Sequence, residues 1–188
     1  LDVIEKNIIL KNYACKMQKY NEKPIIMSDI IRGSAVNIPN DATIYTVSEP
    51  SQVVDEMEYI IVNPIEYSLT SIENFYRFTD KKLLLSLPPI ARDNDVFILK
   101  SLTKAALDNG FYGIVANNLY SFAICDGPFL LGPMMNCLND VIDLPKIYSF
   151  ESDFLGKKGF VYAQGNVPLM TFCNCPKKEF FDGCGSCD

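Results

Sequence analysis

The 188-residue chain contains no histidine. Serine–histidine–acid triads, cysteine–histidine dyads and histidine-ligated zinc all need an imidazole, so none can be assembled from this chain alone. A basic surplus is missing as well: 17 Lys and Arg stand against 23 Asp and Glu, a net charge of −6. Nucleic-acid affinity comes largely from neutralised phosphates, so this balance argues against an autonomous nucleic-acid binder. It leaves room for a catalytic region that works beside a basic neighbour. No run approaches the roughly 20 apolar residues of a membrane helix, and no membrane partner is expected. The first residues, Leu1-Asp-Val-Ile-Glu-Lys6, lack the basic-then-apolar layout of a secretory signal. Seven cysteines, an odd number, cannot all pair internally. Together with the missing export signal this points to a reducing, cytoplasmic setting. Internal repeats, low-complexity segments and convincing linkers are also lacking.

What is present is enough apolar material for a sizeable core: 48% hydrophobic residues with 21% charged, as in an ordinary globular domain or a piece of a larger protein. The distinctive chemistry is concentrated at the end. Four cysteines, Cys173, Cys175, Cys184 and Cys187, are spaced C-x-C-x8-C-x2-C. Thiolates bind soft metals, and a C-x2-C pair brings two sulfurs to one ion or cluster. Gly183 and Gly185 flank Cys184 and permit the tight turn this needs. If a strand continues from Val161 to Cys175, Cys173 and Cys175 share a face. Two, three or all four could ligate zinc or an iron–sulfur centre; the competing reading is free or disulfide-linked cysteine in a terminal tail.

Ahead of the tail runs a β-α rhythm. Residues 2–20 read as a helix and Pro24–Met27 as a short strand, followed by a loop over Gly33–Asp41. Strands are expected at Thr43–Val47, Tyr59–Val62, Leu83–Leu87, Phe111–Ala116, Phe129–Leu131, Lys146–Ser149 and Gly159–Ala163. Helices are expected over 48–57, over Ser68–Phe78, from a cap at Asp93 or Asn94 to Gly110, and over Leu119–Cys125. Repeated β-α units imply a parallel sheet with right-handed crossovers. Eight strands suggest an α/β fold of TIM-barrel-like (β/α) type, complete or partial, with short helices because about 250 residues is typical; an open sheet also fits. The expected divisions are a lead-in over 1–41, the barrel-like domain over 42–172 and the cysteine-rich tail over 173–188.

Five ordered segments give this pattern a family likeness. They are Leu87-Pro-Pro-Ile-Ala-Arg92, Gly113-Ile-Val-Ala-Asn117, Met135-Asn-Cys-Leu-Asn139, Tyr148-Ser-Phe-Glu151, and Gly165-Asn-Val-Pro-Leu-Met170 followed by Cys175-Pro176. Together they resemble the C-terminal region of the collagenase-like peptidases (peptidase family U-32), over about residues 42–188. The resemblance implies an iron–sulfur protein in oxygen-independent hydroxylation, including of ribosomal and transfer RNA, rather than the peptidase of the family name. It implies a four-iron four-sulfur cluster on Cys175, Cys184 and Cys187, with a fourth ligand further downstream or Cys173 in its place. Other domains of a longer chain and an RNA substrate are the implied partners. Pro133, Phe150 and Asn166 stand where the family has aspartate, proline and arginine.

Chemistry in parallel barrels gathers at the C-terminal ends of strands. The expected strands put Asn63, Ser86, Asn117, Asn136, Ser149 and Glu151 there. Asn117 and Asn136, with Ser149, could hydrogen-bond a flat substrate such as a base or keto acid, although asparagine is also a turn former. Glu151 is the available general acid or base in a dry pocket, or a first-turn residue of a helix capped by Ser149. Arg92 could clamp an anion or simply be solvated. Cys125 and Cys137 lie among apolar neighbours and read as core. Phe180 and Phe181 would shield a cluster, or simply pack. Two competing functions remain: a peptidase using Glu151 and a tail-bound metal, and a non-catalytic accessory domain with structural zinc.

Overall fold

The structure, a computed structural model, describes residues 33–135, 144–149 and 159–164. Seven short strands follow one another: β1 Ile44–Val47, β2 Tyr59–Val62, β3 Lys82–Ser86, β4 Gly113–Ala116, β5 Phe129–Leu131, β6 Lys146–Tyr148 and β7 Gly159–Val161. Every neighbouring pair is parallel, and the order in the sheet is the order in the chain. Crossovers of one hand that always step the same way leave the helices on one face. The sheet is a curled half-barrel, with a convex helix-bearing side and a concave inner side.

Both faces are buried, which is why β2, β4 and β5 read as unbroken apolar runs. Outward, residues such as Ile60, Leu85, Ile114 and Phe129 pack against the helical layer. That layer consists of α1 Leu69–Glu73, α2 Asp93–Asp108 and α3 Tyr120–Ile124. Inward, Tyr59, Ile61, Leu84, Val115, Leu130 and Ile147 form a second cluster. Val36 and Ile38 from the lead-in segment complete it. Ser34 and Val36 hydrogen-bond the backbone of Phe129, at 2.7 and 3.1 Å. The lead-in thus holds the lower half of the β5 edge, and β6 takes over at Leu131, the only residue of β5 in register with it. The lead-in passes close to Gly113, where a Cβ would lie 2.5 Å from Val36 Cγ1. At the same lower end the Lys82 ammonium sits between the Tyr59 and Tyr112 rings and bonds Glu58 and the Tyr59 hydroxyl.

All seven strands from β1 to β7 match expectation to within two residues at either end. The eighth expected strand, Pro24–Met27, and the helix over 2–20 lie outside the described residues. Two helices are much shorter than their patterns predict. Over 48–57 only a 3-10 turn, Pro50–Gln52, forms. The Gln52 side chain accepts from the Ser48 and Glu49 N–H groups and closes the turn on itself, and none of the turn's residues is buried to reward extension. Over 68–78 the helix proper ends at Glu73, after which Phe75, Tyr76 and Phe78 bond three residues back instead of four. The tightened path turns Phe75 into the core, where it is 1% exposed.

Helix α2 is the expected long one. Its N-cap is Arg92, whose N–H donates to Asp95 Oδ2 at 3.0 Å, so Asp93 and Asn94 lie inside the helix rather than capping it. Gly110, at φ +90°, ends it with Phe111 N–H bonding Ala106 and Gly110 N–H bonding Leu107. β7 stops at Val161, so the strand does not run on through 162–164 toward the cysteines. Among the described residues no helix is long and apolar enough to cross a membrane.

Candidate functional site at the strand ends

The concave face becomes polar where the strands end. Side chains alternate along each strand, so Ser86 projects with Leu84, Asn117 with Val115, and Ser149 with Ile147, all toward the inner side. Asn117 is the centre of this surface. Its Nδ2 donates to Ser86 Oγ at 3.2 Å and to the Leu87 carbonyl at 2.8 Å. Its Oδ1 is buried and has no hydrogen-bond partner among the described residues. That oxygen lies against Gly132, the residue opposite Asn117 on the next strand, whose N–H bonds the Ala116 carbonyl at 2.7 Å. A Cβ on Gly132 would come within 1.8 Å of Oδ1, so only glycine leaves the amide its place.

Asn117 belongs to a larger device. Pro88 and Pro89 have no N–H, so the Leu87–Arg92 loop cannot brace itself with donors of its own at those positions. Three successive carbonyls of that loop instead accept from side chains in the loop after β4 and at the start of α3. Asn117 bonds Leu87, the Tyr120 hydroxyl bonds Pro88, and Asn118 Nδ2 bonds Pro89 at 2.7 Å. Sequence reasoning singled out Asn117 but passed over Asn118, Tyr120 and Gly132. The signal was available: two prolines leave bare carbonyls after β3, and three side-chain donors follow β4.

Ser149 is half-buried on the same concave side, and no hydrogen bond joins it to Asn117. Asn63 is exposed, its Oδ1 3.4 Å from the Tyr67 hydroxyl. Cys125 is in the core, with burial raising its thiol pKa and the Gly127 N–H donating to its Sγ at 3.2 Å. Asn136, Glu151, Cys137, Cys173, Cys175, Cys184 and Cys187 lie outside the described residues. Among the described residues no group of three or more His, Cys, Asp or Glu is placed to hold a metal.

Beside the Leu87–Arg92 loop, burial pushes the Tyr67 phenol up to about 12. Tyr120 is raised further, by burial first and then by Tyr67 and Asp95. An acid held protonated in the folded state favours folding below its unfolded pKa of about 10 and loses that advantage as pH rises toward the folded value. Stability should therefore fall between about pH 10 and 12, and Tyr67→Phe should flatten the fall. Urea titrations at stepped alkaline pH measure it; identical slopes for both proteins would contradict the assignment. No protein-family model matches this chain, nor does any curated protein or solved structure.

Proposed function

We propose that the chain is a TIM-barrel-like domain of an iron–sulfur protein related to the collagenase-like peptidases (peptidase family U-32). In this reading it works with other domains of a longer chain in oxygen-independent hydroxylation of RNA. The observation that carries the reading is where the family-like segments fall. Leu87–Arg92 leaves the C-terminal end of β3, Gly113–Asn117 is β4 and the first residue beyond it, and Tyr148–Ser149 ends β6. These three segments, which resemble one family, lie at or just beyond the ends of parallel strands, where this architecture gathers its chemistry, and that placement supports the reading; the other two lie almost wholly outside the described residues.

The donor chemistry of the tail suits the implied group: four thiolates, with Cys175, Cys184 and Cys187 as ligands and Cys173 as the fourth within this chain. A bound four-iron four-sulfur cluster would supply one-electron transfer; turning C–H into C–OH without dioxygen also needs an oxygen atom, which water would give, and an organic acceptor for the two electrons released. The chain's own residues bind and orient. Asn117, fixed by two donated bonds, sets the β3 and β4 loops. Asn136 and Ser149 hydrogen-bond the base, and Glu151 moves the proton. The net charge of −6 is consistent with phosphate contacts being made by neighbouring domains.

RNA from anaerobic cells making the wild-type protein or its Cys184→Ser variant tests the activity. Digestion and mass spectrometry should reveal a nucleoside heavier by one oxygen atom with the wild type and not with the variant. Identical nucleoside profiles would overturn the proposal.

A further inference from the structure

A cleft of about 250 Å³ opens on the mouth side, between the loop after β2 and the first turn of α2. Tyr67, Pro88, Ile90, Asp95, Ile98 and Leu99 line it. Small-molecule sites usually enclose roughly 300–1,000 Å³, so this volume suits one long side chain better than a whole ligand. Ile98, which lines the cleft, is 53% exposed, and Ile65 and Leu69, two residues either side of Tyr67 in the chain, are 81% and 48% exposed. Pro88 is held by Tyr120, and its neighbours by Asn117 and Asn118, so this wall exists before anything binds.

Charge selects the occupant. The Tyr67 and Tyr120 phenols stay protonated at neutral pH, which leaves Asp95 as the one charged side chain lining the cleft among the described residues. Glu66 and Asp93 are exposed close by in the chain. Against them stand Arg92, which has an interaction of its own, and the positive end of α2, worth about half an elementary charge. The balance is negative. We propose that this cleft is an anchor pocket for a lysine or arginine side chain of a partner protein whose flanking residues are apolar. The aliphatic stem would lie on Ile90 and Ile98 with its cationic head at Asp95 and the apolar neighbours on Ile65 and Leu69. The inference is independent of the hydroxylation reading.

The probe is a capped hexapeptide of alternating leucine and arginine, labelled for fluorescence anisotropy and titrated with the full chain. Asp95→Asn keeps an acceptor for the Arg92 N–H while removing the charge, and should weaken binding about tenfold, as befits one charge-assisted hydrogen bond. Asp108→Asn removes the same charge from the far end of α2 and should leave affinity unchanged. The same peptide with glutamine for arginine should bind at least about tenfold more weakly. Free argininamide competes only weakly if the apolar residues flanking the cation contribute as proposed; full competition by argininamide would assign the cleft to a small cation instead and overturn the proposal. Equal losses in Asp95→Asn and Asp108→Asn, equal binding of the glutamine peptide, or no binding of the arginine peptide would each overturn the proposal.

Discussion

Gly132→Ala should lower stability by about 3 kcal/mol, the sum of overpacking and of the loosened Asn117 bonds. The added methyl would stand 1.8 Å from Asn117 Oδ1, and Val115 Cγ1 at 3.2 Å blocks an easy retreat. Asn117 can yield only by giving up Ser86 and Leu87, which frees the proline loop at the mouth. The diagnostic is non-additivity. Once Asn117→Ala has removed the amide, the alanine at 132 has far less to strike, so the double variant should be little less stable than Asn117→Ala alone. Urea midpoints for the four proteins decide it. Additive losses would mean that the two residues do not meet as described.

Gly159→Ala should be at least as damaging, at about 4 kcal/mol, because strain and collision combine there. Gly159 has φ +146°, and a Cβ would lie 2.0 Å from the Lys146 carbonyl oxygen and 2.9 Å from its nitrogen. Those are backbone atoms of the neighbouring strand and cannot rotate away. Gly110 provides the comparison: it has φ +90° but nothing within 4 Å of an added Cβ. Gly110→Ala should therefore show the conformational penalty alone, about 1 kcal/mol. Thermal or urea unfolding of the two variants separates the contributions; equal losses would show that the contact between β6 and β7 is not close.

The two glycines illustrate what a sequence can and cannot announce. Tyr59–Val62, Leu83–Leu85 and Phe129–Leu131 are apolar on consecutive residues, and burial on both faces is what that means, so the strands were legible almost to the residue. Helix lengths were not. Whether the segment after Ser48 continued as a helix depended on Gln52 folding back on Ser48 and Glu49, a competition between local bonds that periodicity does not register. Asn117 was visible as a polar residue ending a strand. Its commitment to Leu87, and the need for Gly132 opposite, depend on the register between β4 and β5. The Arg92 N–H finding its acceptor on Asp95 likewise put the cap of α2 one residue before Asp93 and two before Asn94, the two positions expected.

The parallel strands explain how a mouth is built, and the cluster on the tail thiolates is the proposal that remains to be tested. Their conjunction is tested most directly by iron, zinc and acid-labile sulfide analysis of protein prepared without oxygen. The reading advanced above predicts iron and sulfide in equal amounts, about four of each per cluster, lost together in Cys184→Ser. One zinc per chain, with neither iron nor sulfide taken up on anaerobic reconstitution, would contradict it.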